Sequence, residues 1–378
     1  MMDRLKTGHD ARTDVPIHRQ EILSNFKDFL SSAVAGTSGG KQSEYPDLNG
    51  IMGSILRDVT QNPERKEKYE KFLSGAFKLK QAWKPAGLPY VENRFRAFIL
   101  IYFQQRLFDD IVDGDTPLKL TPSERVAYSK ERLEHLRTGN FESPDPIDAF
   151  AVRILSDIGT LDPNYVPMAK QRLGQIMGSI IFDGKRICAT DTLNENSQNA
   201  EASRTWKFSS RKALEANFAQ LDIEGVTGLT LFLFGFKDST DNMKLLTPLA
   251  QASRIAYNVR DFAKDIRAGL CNIPKEDADR LKITDADLRE VLKSKHPAAF
   301  PQNVTNWLIE QVERGVKLLE LHAKQPISSN LESTAGLDSA MPDLRRPLYR
   351  AFVANQVLQE GYIDEAEKIF RDATRELR

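Results

Sequence analysis

Residues 95–114 read FRAFILIYFQQRLFDDIVDG, and the interpretation of this stretch decides what kind of protein the chain is. Its first part, up to Arg106, is among the most apolar segments of the chain and reads as a buried helix. Its second part crowds Asp109, Asp110 and Asp113 together, with Asp115 just past Gly114, where a helix would stop. A helix C-terminus already carries roughly half a negative charge, so carboxylates are unfavourable there. Asp109 and Asp113 are also i,i+4 neighbours, a like-charge pair costing roughly 0.2–0.5 kcal/mol. Arg106, one turn before Asp109, offsets only part of this. Taken alone, the stretch has two readings: a solvated acidic helix end, or a frustrated site that calls for a cationic partner. An EF-hand calcium loop is excluded, because Ile111 falls at a ligand position and Leu120 stands where the bidentate Glu belongs.

The rest of the chain gives this helix its setting. The 378 residues suffice for one large domain or two ordinary ones. Equal numbers of basic and acidic side chains, 53 each, leave no overall positive field to favour nucleic acid. Cys188 and Cys271 exclude a disulfide framework and fit a reducing, cytoplasmic compartment. No apolar run is long enough to span a membrane, which leaves peripheral contact open. The start of the chain lacks the apolar core of a secretory signal. Residues 1–45 read as a flexible extension with one short helix at 18–33. Helical periodicity dominates 46–378, with helices expected at 64–83, 90–113, 121–138, 144–159, 164–187, 209–237, 244–267, 284–293, 302–323, 343–356 and 362–376. TPLKLTPSE, ESPDPID and LDPNYVP supply Pro beside Ser, Thr or Asp and so cap the helices that follow. Residues 188–208 read as a long polar loop. The expectation is an all-α fold, a single helical bundle with a central cavity.

A second acidic cluster lies about 150 residues further on. RIAYNVRDFAKDIRAG, residues 254–269, again reads as a helix ending at Gly. Asp261 and Asp265 repeat the i,i+4 spacing, Asn258 precedes Asp261 by one turn, and Arg254, Arg260, Lys264 and Arg267 surround them. Two helices that each present paired carboxylates can face one another and hold Mg²⁺, which takes hard oxygen ligands, waters and phosphate oxygens. The basic residues would then bind the diphosphate charge that the metal leaves over.

These residues resemble the squalene/phytoene synthases, all-helical enzymes of the isoprenoid synthase type. The first motif matches through Arg96, Ala97, Tyr102, Arg106, Asp109, Asp110 and Asp113. The second matches through Arg260, Asp261, Asp265, Gly269 and Pro274. Between them, Gly225 and Gly228 match the family's Gly-x-x-Gly helix, and the order holds from about Ser74 to Ala278. The resemblance implies that 46–378 is a prenyl-transferring domain. Two or three Mg²⁺ ions on Asp109, Asp110, Asp113, Asn258, Asp261 and Asp265 would draw diphosphate from an allylic prenyl chain. Arg106, Arg254, Arg260, Lys264, Tyr102 and Phe77 would bind substrate, and Tyr257 and Glu224 would join Asp109, Asp113, Asp261 and Asp265 in catalysis. A second prenyl diphosphate is the family's usual acceptor, and NADPH serves only the squalene-forming branch.

The chain departs from the family at the site. Tyr257 stands where the family has Asn, with Asn258 one place on, and Arg254 replaces a Gln. Leu270-Cys271-Asn272-Ile273-Pro274 replaces Arg-x-Tyr-Leu-Pro, and Ala76-Phe77 replaces Ser-Phe. Asp222 and Glu224 enter a normally apolar helix. Facing the cavity, those two would suit an aromatic or amine-bearing acceptor; paired with an Arg or facing water, they would say nothing about it. A non-catalytic binding protein that retains the fold is the reading from another class. Lys185 and Arg186 could reach a diphosphate or simply open a solvated loop. The five histidines have no metal-ligand spacing and read as surface residues. Phe98, Tyr102, Phe103, Phe232 and Phe234 fall on helices expected to line the cavity, with core packing the plainer role for each.

Overall fold

The computed structural model describes residues 72–377, except 74, 78, 82, 84–87, 116–119, 142–144, 197–207, 209, 295 and 325–361, and only the backbone of 188–196. The expected helices at 18–33 and 343–356, and the first part of 64–83, fall outside the described residues.

Helix α1, Val91–Asp113, follows a helical stretch within 72–83 and runs unbroken through the whole apolar segment. Gly114 ends it with φ 82°, a conformation that only a residue without a Cβ adopts at little cost. The expected caps form next. Thr121 and Glu124 make a reciprocal capping box at the start of α2, Pro122–Thr138. Asp145 caps α3, Pro146–Leu161. Helix α4, Val166–Asn196, is longer than its expected span of 164–187, so the loop expected from 188 begins at least nine residues later. Residues 188–196 contain neither Gly nor Pro to break the helix, and the weak propensity of their Asp, Asn and Thr does not by itself end one.

The helix expected over 209–237 is divided into α5, Arg211–Phe218, a π-helical segment, Ala219–Thr227, and α6, Gly228–Leu233. Within the π segment, Gly225 lies against α4: a Cβ there would come 2.4 Å from Ile176 Cγ1. Helix α7, Thr240–Arg260, turns at Asp261 into α8, Phe262–Arg267. Then come α9, Lys275–Leu281, which periodicity alone did not suggest, and α10, Asp285–Lys293, α11, Gln302–Ala323, and α12, Asp364–Leu377.

Helix α1 packs against α3 and α4, α4 against α2 and the π segment, and α7 against α11 and α12. One apolar core, with Trp83, Leu100, Phe108, Phe150, Ile154 and Ile158 all buried, fills the first half. Two smaller cores, around Trp307 and around Phe370, fill the second. The protein is an all-α, single helical domain, with no strand among the described residues. No helix among those residues is long and apolar enough to cross a membrane.

Candidate functional site

The acidic end of α1 is met by two guanidinium groups. Arg106 donates from Nη1 to Asp109 Oδ2 at 3.1 Å and places Nη2 2.9 Å from Asp110 Oδ1. Arg125, from α2, donates to the Val112 carbonyl at 3.2 Å and so answers the open end of the helix. Asp110, expected among the Mg²⁺ ligands, is buried beside Arg106. Asp109 keeps 37% of its side chain open to water, and Asp113 is exposed. Even so, desolvation drives both upward, Asp109 to about 6 and Asp113 to about 8. Burial and neighbouring carboxylates both disfavour the ionised form.

The second cluster has a different geometry. Asp261 occupies the turn between α7 and α8, with φ −94° and ψ 5°. Arg260 donates to both its oxygens, at 2.9 and 2.6 Å, stacks over the Tyr257 ring at 4.9 Å, and reaches Glu365 of α12 at 3.6 Å. Asp265, one turn on, is raised to about 7, first by burial and then by the charges of Asp261 and Asp183. Lys264 is exposed, and its charge works the other way.

Asp183 joins the two clusters, and sequence reasoning passed over it. It stands on α4, one residue before Gly184, which abuts Val112; a Cβ there would come 2.3 Å from Val112 Cγ1. Three residues later, the buried Arg186 donates to Asp183 at 2.8 Å, to the Cys271 carbonyl at 2.8 Å and to Asn272 Oδ1 at 3.1 Å. Asp183 therefore lies between the end of the first motif and the loop that follows the second. Its charge raises Asp109, Asp113 and Asp265 alike. The one signal in the sequence was Gly184, directly after Asp183, where α4 and Val112 approach closely.

Arg254 borders the same group. It forms a two-pronged pair with Asp222, 2.7 Å on each arm, and lies 5.2 Å over the Phe218 ring. Burial works against its charge, yet Asp222, Asp183 and Asp109 together hold it above the usual guanidinium range. Arg254, Asp222 and Asn258 line a cleft between α5, the π segment, α7 and α11. Burial raises Tyr257, and Glu365 and Tyr362 of the C-terminal segment add to the shift.

Three expected residues lie apart from this group. Glu224 is hydrogen-bonded by Gln175 and lies 3.9 Å from Arg172, about 12 Å along the α4 axis from Asp183. Tyr102 stacks on Phe72 at 3.6 Å, and Phe77 meets Phe95 at 5.0 Å, both in the aromatic core. The histidines do not all lie on the surface as expected. His322 is buried in α11, and His135 bonds Asp148 at 2.7 Å. Arg186 is a buried brace rather than the opening of a solvated loop.

Among the described residues, no three His, Cys, Asp or Glu side chains converge tightly enough to grip one ion by themselves. Magnesium does not require that, because it keeps waters and is commonly bound through one or two carboxylates plus substrate phosphates. Carboxylates that raise one another, with the charges of Arg106 and Arg254 acting on them, are the kind of donor set that such binding uses. No protein-family profile matches the chain, and no curated protein is significantly similar to it.

Proposed function

We propose that the chain is a Mg²⁺-dependent prenyl-transferring enzyme that ionises an allylic prenyl diphosphate and joins its C1 to a second molecule. What supports this reading is that carboxylates of both motifs lie within electrostatic reach of one further carboxylate: Asp183 of α4 raises Asp109 and Asp113 of α1 and Asp265 of α8, and Arg106 and Arg254 act on the same groups.

Bound Mg²⁺ would offset the charge on the departing diphosphate. Asp109, Asp113, Asp183 and Asp265 would hold it, with Asp261 and Asn258 at the second motif, and Asp110 would keep Arg106 in place. Arg106 and Arg254 would face the phosphate oxygens. Phe98, Tyr102 and Phe103, further along α1, are packed against one another and against Phe72 and serve the core.

By the resemblance, the acceptor is a second prenyl diphosphate, giving a head-to-head hydrocarbon, with NADPH needed only for a squalene-type product. A second reading, transfer to a non-isoprenoid acceptor, gains nothing from Asp222 and Glu224, because Asp222 is paired with Arg254 and Glu224 with Gln175 and Arg172. Diphosphate release from geranyl, farnesyl and geranylgeranyl diphosphate, with and without Mg²⁺, tests the step shared by both. Release with none of the three sinks both. Incubation with a single prenyl diphosphate and product analysis separates them, because only the first reading yields a head-to-head hydrocarbon.

A further inference from the structure

Asp261 is the carboxylate that the second motif would offer to Mg²⁺, yet Arg260 donates to both its oxygens, at 2.9 and 2.6 Å. A divalent ion and a guanidinium on one carboxylate repel each other. Asp261 therefore becomes a ligand only when Arg260 moves away, and that charge then needs another partner.

A second acceptor stands within reach. Arg260 holds Asp261 through Nε and Nη2, while its Nη1 lies 3.6 Å from Glu365 Oε1 of α12. A charge-assisted N–H···O bond is about 2.7–2.9 Å long, so a movement of about an ångström turns this approach into a full pair. The Tyr257 ring, 4.9 Å from the guanidinium carbon, gives the planar group a face on which to turn. Glu365 is itself held in place. It shares the first turn of α12 with Asp364 and Glu367, and carboxylates so crowded favour an added cation. Ala366 and Phe370, one turn apart, are buried, and the Phe370 ring fills the space that a Cβ on Gly315 of α11 would need. That seat sets the start of α12 against the end of α7.

We propose that Glu365 is a positioning residue of the metal site: once Asp261 is engaged by Mg²⁺, the Arg260 guanidinium leaves that carboxylate and closes on Glu365. The C-terminal helix thereby takes up the charge that competes with the metal. The role rests on the Mg²⁺ reading above, with Asp261 as a ligand. Arg260, Asp261 and Glu365 keep 41%, 35% and 32% of their side chains open to water, so the coupling is graded and modest.

Thermal unfolding of the full chain over a Mg²⁺ series, with inorganic diphosphate held constant, tests the proposal. Glu365→Gln is expected to raise the Mg²⁺ midpoint about two- to fivefold, the scale of an exposed ion pair. Tm without metal, and diphosphate release at saturating Mg²⁺, should change only modestly. In the Arg260→Gln background no guanidinium has to move, and the same substitution is expected to leave the midpoint where it was. An unshifted midpoint in Glu365→Gln overturns the role, as does an equal shift in both backgrounds, which a merely structural contact would give. Where Arg260→Gln itself no longer responds to Mg²⁺ and diphosphate, hydrogen exchange on the wild type decides. The two ligands are expected to slow exchange in α12, and unaltered exchange there overturns the role. The wild-type response keeps the two claims apart. Stabilisation that is indifferent to Glu365 removes the positioning role alone, and no stabilisation removes the metal reading and this role with it.

Discussion

The two acidic helix ends look alike in sequence and are built differently. At the end of α1, Arg106 divides its guanidinium between Asp109 and Asp110, so Asp113 faces Asp109, Asp115 and Asp183 with little compensation. At the α7–α8 turn, Arg260 gives both arms to Asp261 and is itself steadied by Glu365 and Tyr257. Asp265, one turn further on, has no such partner and is raised. The unbalanced charge is thus concentrated in Asp109, Asp113 and Asp265, all of which feel Asp183. The comparison teaches that i,i+4 spacing marks candidate ligands, while the neighbouring guanidinium decides which carboxylates remain in need of a cation.

The largest effect should come from removing a member of the uncompensated set. Asp109→Asn and Asp265→Asn are each expected to slow Mg²⁺-dependent diphosphate release by about 10²–10³-fold, the usual cost of one preorganised electrostatic contact. Equal rates in wild type and both variants, measured by diphosphate release, would remove these residues from the site.

Next is the brace between the two ends. Arg186→Met removes charged hydrogen bonds to Asp183, the Cys271 carbonyl and Asn272. Thermal unfolding should show a loss of about 2–3 kcal/mol, the scale of a buried charged hydrogen bond. A loss near zero would mean that α4 does not tie the two motifs together.

A smaller effect appears with pH. The folded pKa values of Asp109, Asp113 and Asp265 lie above the ordinary 3.8, at about 6, 8 and 7. Between these limits the folded chain binds more protons than the unfolded one, so stability falls as pH rises. Without metal, Tm should drop from pH 5 to pH 8; with Mg²⁺ and inorganic diphosphate the drop should shrink, since the ligands bind deprotonated. A metal-free Tm that stays level or rises over this range contradicts the uncompensated set.

The smallest effect belongs to the compensated end. Glu365→Gln breaks a part-exposed pair with Arg260 and should change stability by about 1 kcal/mol or less. Its effect on Asp261 should register as a modest change in release rate, well below that of Asp109→Asn.

Much of this was legible in the chain. The apolar run into Asp109, the glycine stops and the capping residues follow directly from periodicity and turn chemistry, and α1, α2 and α11 match their expected spans within a residue. The π segment was not legible, because Gly225 and Gly228 leave a helical pattern intact while packing against α4 changes its winding. Asp183 escaped because a lone carboxylate on a helix has no motif, and only the tertiary approach of Val112 and Cys271 gives it meaning. The contributions of Glu365 and Tyr362 come from a C-terminal segment more than ninety residues beyond the second motif, a separation that no local pattern spans.

The most direct test of the central claim, that carboxylates from three helices form one metal–diphosphate site, is thermal unfolding with Mg²⁺ and inorganic diphosphate. The wild type should be stabilised, by about 2.7 kcal/mol at a hundredfold excess over Kd, and Asp109→Asn, Asp183→Asn and Asp265→Asn should each abolish most of that gain. No gain in the wild type, or an undiminished gain in all three variants, would contradict it.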